Sequence, residues 1–188
     1  MSDAIRIVLV DPQHPGNIGA SARAMKNMGL ESLVLVRPRA PADPEAAARA
    51  ASAADLLARA RIVATIDEAV GDCGLVIGTT SRPRSANWRV IDAREAASEL
   101  AAAAAARPAA VLFGGERNGL ANEALERCHA LVRIPCAAGY ESLNLAQAVQ
   151  VIAYEIRMAR LDGGGRQAAL PPATADEMRA LEAHLERV

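Results

Sequence analysis

Six short runs rich in β-branched residues punctuate this chain, and longer stretches of helical spacing or high alanine content separate them. The runs are IRIVLV (Ile5 to Val10), SLVLV (Ser32 to Val36), RIVATI (Arg61 to Ile66), LVIGTT (Leu75 to Thr80), AAVLF (Ala109 to Phe113) and LVRIP (Leu131 to Pro135). Strands that alternate with helices build an α/β fold, and near-continuous apolar strands belong to a sheet covered on both faces. The sequence therefore predicts a mainly parallel sheet flanked by helices. The alanine-rich segment from Ala93 to Ala106 reads as a helix of high intrinsic propensity. The last clear helix of the domain is predicted from about Leu143 to Arg160.

The 188 residues suit one domain with a short appendage. We place the domain at 1–160 and the appendage at 161–188. Gly163 to Gly165, then Pro171 and Pro172, make a linker. Thr174 and Glu177 fit a capping box, and Met178, Leu181, Leu185 and Val188 recur at helical spacing. The chain stops on that apolar face without a C-cap signal, so the helix either packs on a partner or, as we expect, begins a longer C-terminal extension.

Aromatic residues make up only 2% of the chain, so the core must be built from Ala, Val, Leu and Ile. The formal charge of −1 gives no global sign of a nucleic-acid binder. Lys26 is the sole lysine among 21 cationic residues. Arginine favours forked recognition of phosphate, so local arginine clusters carry more information than the sum. Cys73, Cys128 and Cys136 are an odd number without CxxC spacing, which argues against a metal site or a disulfide framework and for reduced, mostly buried thiols. Asp3 and Arg6 interrupt any secretory leader, and no apolar run is long enough to span a bilayer. A cytoplasmic location is expected.

Four segments could carry chemistry. The first, DPQHPGNIGASARAMKNMG (Asp11 to Gly29), follows the first strand but lacks GxGxxG spacing. Its second strand is followed by Arg37, where a dinucleotide-binding fold would place an acidic residue. Asn17 is placed to cap the helix, and Arg23 lies nearly two turns into it. The second, GTTSRPRSANWR (Gly78 to Arg89), sets Arg82, Arg84 and Arg89 beside the only tryptophan, Trp88. It suits phosphate contact with base stacking, or equally a basic loop whose tryptophan fills a core gap.

The third segment, FGGERNGL (Phe113 to Leu120), brackets Glu116, Arg117 and Asn118 with glycines at a strand's C-terminal end. Open α/β sheets bind ligands there, and glycine permits positive φ or close approach. The fourth runs from Ile134 to Arg157 as IPCAAGYESLNLAQAVQVIAYEIR. Ser142 could serve as the N-cap of its helix, whereas Asn144 just inside the helix is a poor helix former needing another reason. GxSxG is missing, and His14, His129 and His184 form no recognisable triad.

In order, PGNIGASAR, FGGERNGL and IPCAAGYESLNLAQAV resemble the three signature motifs of the SPOUT class of RNA ribose methyltransferases, a match covering about Ile5 to Arg160. Within that class, YESLNLAQAVQVIAYEIR and TSRPR are most similar to the bacterial tRNA (cytidine/uridine-2′-O)-methyltransferases that modify nucleotide 32 of the anticodon loop. The resemblance implies a C-terminal trefoil knot, although knots are nearly absent among folds. It further implies S-adenosylmethionine as cofactor, tRNA as partner and a homodimer formed through the knot region. Carried over by motif, the cofactor site comprises Thr79, Leu112, Gly114, Gly115, Ile134 and Leu143. The catalytic set comprises Arg23, Asn17, Glu116, Ser142 and Asn144, with Arg23 meeting the cofactor of the other subunit. Arg37, Arg39, Arg82, Arg84 and Arg89 are candidates for contacts to the RNA backbone. The alternatives are a ribosomal-RNA ribose methyltransferase of the same class, a nucleotide-binding domain using NAD, and a catalytically silent RNA-binding relative.

Overall fold

The computed structural model describes residues 4–40, 43–81 and 88–162. In chain order its elements are β1 (Ile5–Val10), α1 (Pro15–Asn27), β2 (Ser32–Val36), α2 (Pro44–Ala50), α3 (Ala54–Ala58), β3 (Arg61–Val63) and α4 (Ile66–Val70). There follow β4 (Leu75–Thr79), β5 (Val90–Ile91), α5 (Ala93–Ala103), β6 (Ala109–Gly114), α6 (Asn122–Leu125), β7 (Ala130–Val132) and α7 (Leu145–Asp162). The seven strands form one sheet in the order β3-β2-β1-β6-β4-β7-β5. Every pairing between these strands is parallel.

Parallel strands need helical crossovers, and the core shows helices on both faces. Ile5, Ile7 and Leu9 of β1 point into one buried cluster with Ile18, Met25, Leu100, Val149 and Ile152. Val8 and Val10 point the opposite way, among Val34, Val36, Leu112, Leu120 and Leu131. That alternation explains why IRIVLV is apolar at nearly every position. Phe113, 1% exposed, is the one large aromatic in an otherwise aliphatic core.

Side chains at Asp43, Asp92 and Thr65 fix three of the helix starts locally. Asp43 accepts from the Glu45 N–H at 2.8 Å, and Asp92 accepts from the N–H groups of Arg94 and Glu95 at 2.9 and 2.8 Å. Thr65 accepts from the Glu68 N–H at 3.2 Å while its hydroxyl donates to the Glu68 carboxylate at 2.9 Å. This last cap corrects the expected strand Arg61 to Ile66. The strand stops at Val63 because Thr65 starts α4 and turns Ile66 into the core. Strand β5 was not foreseen. It is two residues long and gains its place by lying beside β7. The expected linker and C-terminal helix lie outside the described residues, as do Arg82 and Arg84.

Late strands wedge between earlier ones. β6 pairs with both β1 and β4, and β7 pairs with both β4 and β5. A dinucleotide-binding sheet continues from strand 1 to strand 4, so this order departs from it. The glycines of PGNIGASA serve packing. A Cβ on Gly19 would lie 2.0 Å from the Ala46 carbonyl oxygen, so only glycine lets α1 and α2 approach this closely. Gly19→Ala is expected to destabilise the protein by about 1–3 kcal/mol, because the clashing atom is backbone and cannot swing away. Denaturant unfolding would measure this, and an unchanged midpoint would contradict the close approach.

Candidate functional site

Helix α1 begins without a local cap. His14 occupies the N-cap position, yet its side chain makes no capping bond, and Pro15 follows. The donors at that end are satisfied from far away in sequence. The N–H groups of Gln13 and His14 donate to the Glu116 carboxylate at 2.9 and 3.2 Å, and the Asn17 amide Nδ2 donates to it at 2.8 Å. A carboxylate facing the positive end of a helix and three N–H groups is held by charge-assisted bonds.

The chain of bonds continues to a second helix. Asn144 Nδ2 donates to Asn17 Oδ1 at 3.0 Å, and Asn144 Oδ1 accepts from the Ala146 N–H at 2.9 Å. The carboxylate has no proton to give, which forces the Asn17 NH2 toward Glu116 and its oxygen toward Asn144. Asn144 must then turn its own oxygen to α7. The orientation of both amides follows from the charge at one end.

This geometry revises three expectations. Asn17 does not cap α1; it sits inside the helix and bridges to Glu116. Ser142 does not cap α7, which starts at Leu145. The cap is Asn144, and Gln147 completes a reciprocal box by accepting from the Asn144 N–H at 3.2 Å. An asparagine at an N-cap is favourable, so the apparent misfit of Asn144 disappears. The signal was available in the sequence, because Gln147 follows Asn144 at capping-box spacing.

The glycine loop has its own requirement. Gly119 adopts φ +64°, its N–H donates to the Gly115 carbonyl at 2.9 Å, and a Cβ on Gly114 would lie 2.0 Å from the Gly119 backbone. Residues 114–119 thus fold back on themselves. On the other side, a Cβ on Gly115 would lie 2.5 Å from the Asp11 carbonyl oxygen. The glycines bring backbone to backbone, and this presents Glu116 to α1.

Beside this junction lies a cleft at the C-terminal ends of β4, β6 and β7. Thr79, Gly114, Gly115, Glu116, Ile134, Ser142 and Leu143 line it, together with Arg117 and Asn118 of the glycine loop and with Thr80 and Ser81, to which the sequence reading assigned no role. Leu112 is buried below; its carbonyl accepts from the Thr79 hydroxyl at 3.0 Å. Five of the six expected cofactor residues therefore line one cleft, and the sixth fixes the orientation of Thr79. Apolar walls from Val132, Ile134 and Leu143, with hydroxyl and backbone groups from Thr79, Ser142 and the glycines, suit a ligand that is part nucleoside and part amino acid.

The expected arginines separate. Arg23 is exposed on α1, outside the residues that line the cleft. Arg39 is exposed at the end of β2. Arg37 forks onto Asp11, with Nε and Nη2 donating at 2.9 and 3.0 Å. Arg89 pairs with Glu95 at 2.9 Å and with Glu99. Trp88 packs against the buried cluster around Leu120 and Leu131, which favours the core-filling reading of that residue. Of the thiols, Cys128 is buried and burial pushes it up to about 12, while Cys73 and Cys136 are half-buried.

A family model described as the SpoU rRNA methylase family matches residues 4–154. The tRNA (cytidine/uridine-2′-O-)-methyltransferase TrmJ of Escherichia coli K12 is 47% identical, over all of this chain and 78% of its own length. The crystal structure of TrmJ from Z. mobilis is similar with a TM-score of 0.77 at 38% identity, covering 97% of this chain and 78% of that one. The SpoU methyltransferase AviRb from Streptomyces viridochromogenes, in complex with the cofactor AdoMet, gives a TM-score of 0.68 at 25% identity, covering 87% and 63%.

Burial raises the Glu116 carboxyl, but the bonds from Asn17, Gln13 and His14 outweigh it and hold the group below the ordinary carboxylate range. A depressed folded value stabilises above the unfolded carboxyl range, near about 4.3, and that contribution is lost as pH falls through the folded value. Glu116→Gln is expected to lower stability by about 1.5–3 kcal/mol at neutral pH, the scale of a hydrogen bond to a charged group. The gap from the parent should close in acid below about pH 4. Thermal melts across pH check this, and a gap constant from neutral to acid would contradict it.

Proposed function

The chain belongs to the SpoU rRNA methylase family, and on that footing we propose that its cleft serves S-adenosylmethionine-dependent methylation of a ribose 2′-hydroxyl in tRNA. The protein is a tRNA (cytidine/uridine-2′-O-)-methyltransferase on this reading, consistent with the full-chain relative at 47% identity. The target we propose is cytidine or uridine at nucleotide 32 of the anticodon loop. One observation carries the reading. The carboxylate of Glu116, held by Asn17 and the α1 N-terminus, stands at the rim of a cleft lined by the residues that the motifs assign to the cofactor. The strand order argues against an NAD-binding domain. The family description names rRNA, but the relatives matched along the whole chain act on tRNA.

When bound, S-adenosylmethionine supplies an electrophilic methyl group, so the protein has to align the 2′-oxygen with it and dispose of one proton. Thr79, Gly114, Gly115, Ile134 and Leu143 would hold the cofactor, with Leu112 behind them. Asn17, Glu116 and Asn144 form a fixed polar rim that would position the ribose or Arg23, and Ser142 adds a hydroxyl. A charged guanidinium has no acceptor site, so Arg23 is unsuited to remove the proton. Its role is to grip the neighbouring phosphate and stabilise the developing alkoxide, while water or a phosphate oxygen takes the proton.

Because Arg23 is outside the cleft of its own chain, the reading includes a homodimer in which Arg23 reaches the partner's site. Supporting this, α7 carries half-buried Val151 and Met158 with exposed Tyr154 and Leu161, a stripe at 3-and-4 spacing that a monomer leaves wet. The trefoil knot belongs to the same proposal, supported by β6 and β7 inserting between earlier strands before α7 returns to pack on α1 and α5. Arg39, Arg82 and Arg84 are proposed RNA contacts, and the location proposed is the cytoplasm. No helix among the described residues is long and apolar enough to cross a membrane.

Incubation with methyl-labelled S-adenosylmethionine and either unmodified tRNA or unmodified ribosomal RNA, then alkaline digestion, tests the reading. We expect a labelled, alkali-resistant dinucleotide that includes nucleotide 32, and a loss of at least about a hundredfold in rate for Arg23→Ala. Label in ribosomal RNA alone would overturn the tRNA assignment, and alkali-labile label would overturn ribose methylation.

A further inference from the structure

Two non-glycine residues at the ends of adjacent strands adopt the left-handed region, Asp11 at φ +51° and Arg37 at φ +48°. Such residues are uncommon, and each costs free energy unless its surroundings hold it. They hold each other. The Arg37 guanidinium forks onto the Asp11 carboxylate through Nε and Nη2, and its Nη1 donates to the Ala64 carbonyl at 3.4 Å. Glu123 faces the same guanidinium at 3.9 Å. Backbone bonds complete the junction. The Asp11 N–H donates to the Val36 carbonyl at 2.9 Å, the Arg37 N–H to the Val63 carbonyl at 3.0 Å, and the Arg39 N–H to the Pro12 carbonyl at 3.1 Å.

The residues that follow Asp11 and Pro12 are Gln13 and His14, whose N–H groups meet Glu116. The Asp11 carbonyl itself lies against Gly115, one residue before Glu116. A shift of this turn would therefore displace both the donors and the loop carrying their acceptor. We infer that Asp11 and Arg37 form a positioning clamp that seats the Gln13 and His14 N–H groups on Glu116, so that Arg37 acts on methyl transfer through this turn and not by touching RNA. The inference rests on the methyltransferase reading and adds to it two positioning residues. It also gives Arg37 a duty that its place among arginine-rich segments does not suggest. Its fork is spent on a carboxylate within the same chain.

The test compares Asp11→Asn, Arg37→Lys and the double variant with the parent, each on unmodified tRNA at several salt concentrations. Asparagine tolerates the left-handed region, so Asp11→Asn removes the fork's charge without new strain. Lysine keeps the cation for phosphate but cannot fork. Each single variant is expected to lower kcat about tenfold, the scale of a small misplacement at a reacting centre. KM for tRNA and its salt dependence should stay unchanged, and the double variant should fall no further than the worse single. Normal kcat in Arg37→Lys would overturn the clamp. So would a fall in tRNA KM for Asp11→Asn, because unmasking a phosphate-binding arginine should tighten RNA binding.

Amide hydrogen exchange, read without RNA or cofactor, supplies a second measure. Gln13 and His14 should exchange faster in all three variants, with the global melting temperature nearly unchanged. Unchanged exchange at both amides would overturn the clamp. A parent that labels no RNA would count against the methyltransferase reading and leave the exchange result to judge the clamp alone.

Discussion

A single carboxylate organises this molecule's functional end. Glu116 stands on a turn that only glycines can make, and it accepts from the backbone of residues 13 and 14 and from Asn17. It replaces the local cap that α1 lacks. Through Asn17 and Asn144 its charge also sets the amide that starts α7. Three segments far apart in sequence are thereby locked at one point, and the cleft lies beside it. The acceptor at Glu116 and the Ala146 N–H at the far end impose the same polarity on the two amides between them.

The sheet makes that convergence possible. All seven strands run parallel, so the turns after β1, β4, β6 and β7 emerge on one edge, where open α/β sheets bind ligands. Inserting β6 between β1 and β4 sets the Glu116 turn beside the start of α1. Inserting β7 between β4 and β5 brings Ile134 and the α7 entry to the other side of the cleft. Strand order therefore does more for the site than any one motif. It converts three weak local patterns into one set of walls.

Much of this was legible in the sequence. β1, β2 and the cores of β4 and β6 are apolar on both faces, and their runs coincide with the strands to within a residue. Most of the cleft wall could be named by motif, and its residues sit at or just beyond strand ends. What escaped depends on distant partners. Asn17 reads as a cap until Glu116, 99 residues away, is seen to take its amide. RIVATI reads as one strand because β-branched residues serve both a strand and the Thr65 cap. Arg37 and Arg89 read as candidate RNA contacts, since nothing local predicts that Asp11 or Glu99 will meet them. The left-handed backbone at Asp11 carries no sequence mark of its own.

The central claim is that Asn17 and Asn144 act as one unit between Glu116 and the two helices. Its most direct measurement is a double-mutant cycle on the single-turnover rate of methyl transfer, using Asn17→Ala, Asn144→Ala and the pair. Residues in one hydrogen-bond network are non-additive, with coupling of about 0.5–3 kcal/mol. The account predicts that the double variant is hardly slower than the worse single. Two losses that simply multiply would mean the asparagines act separately, and the bridge would then be an accident of packing.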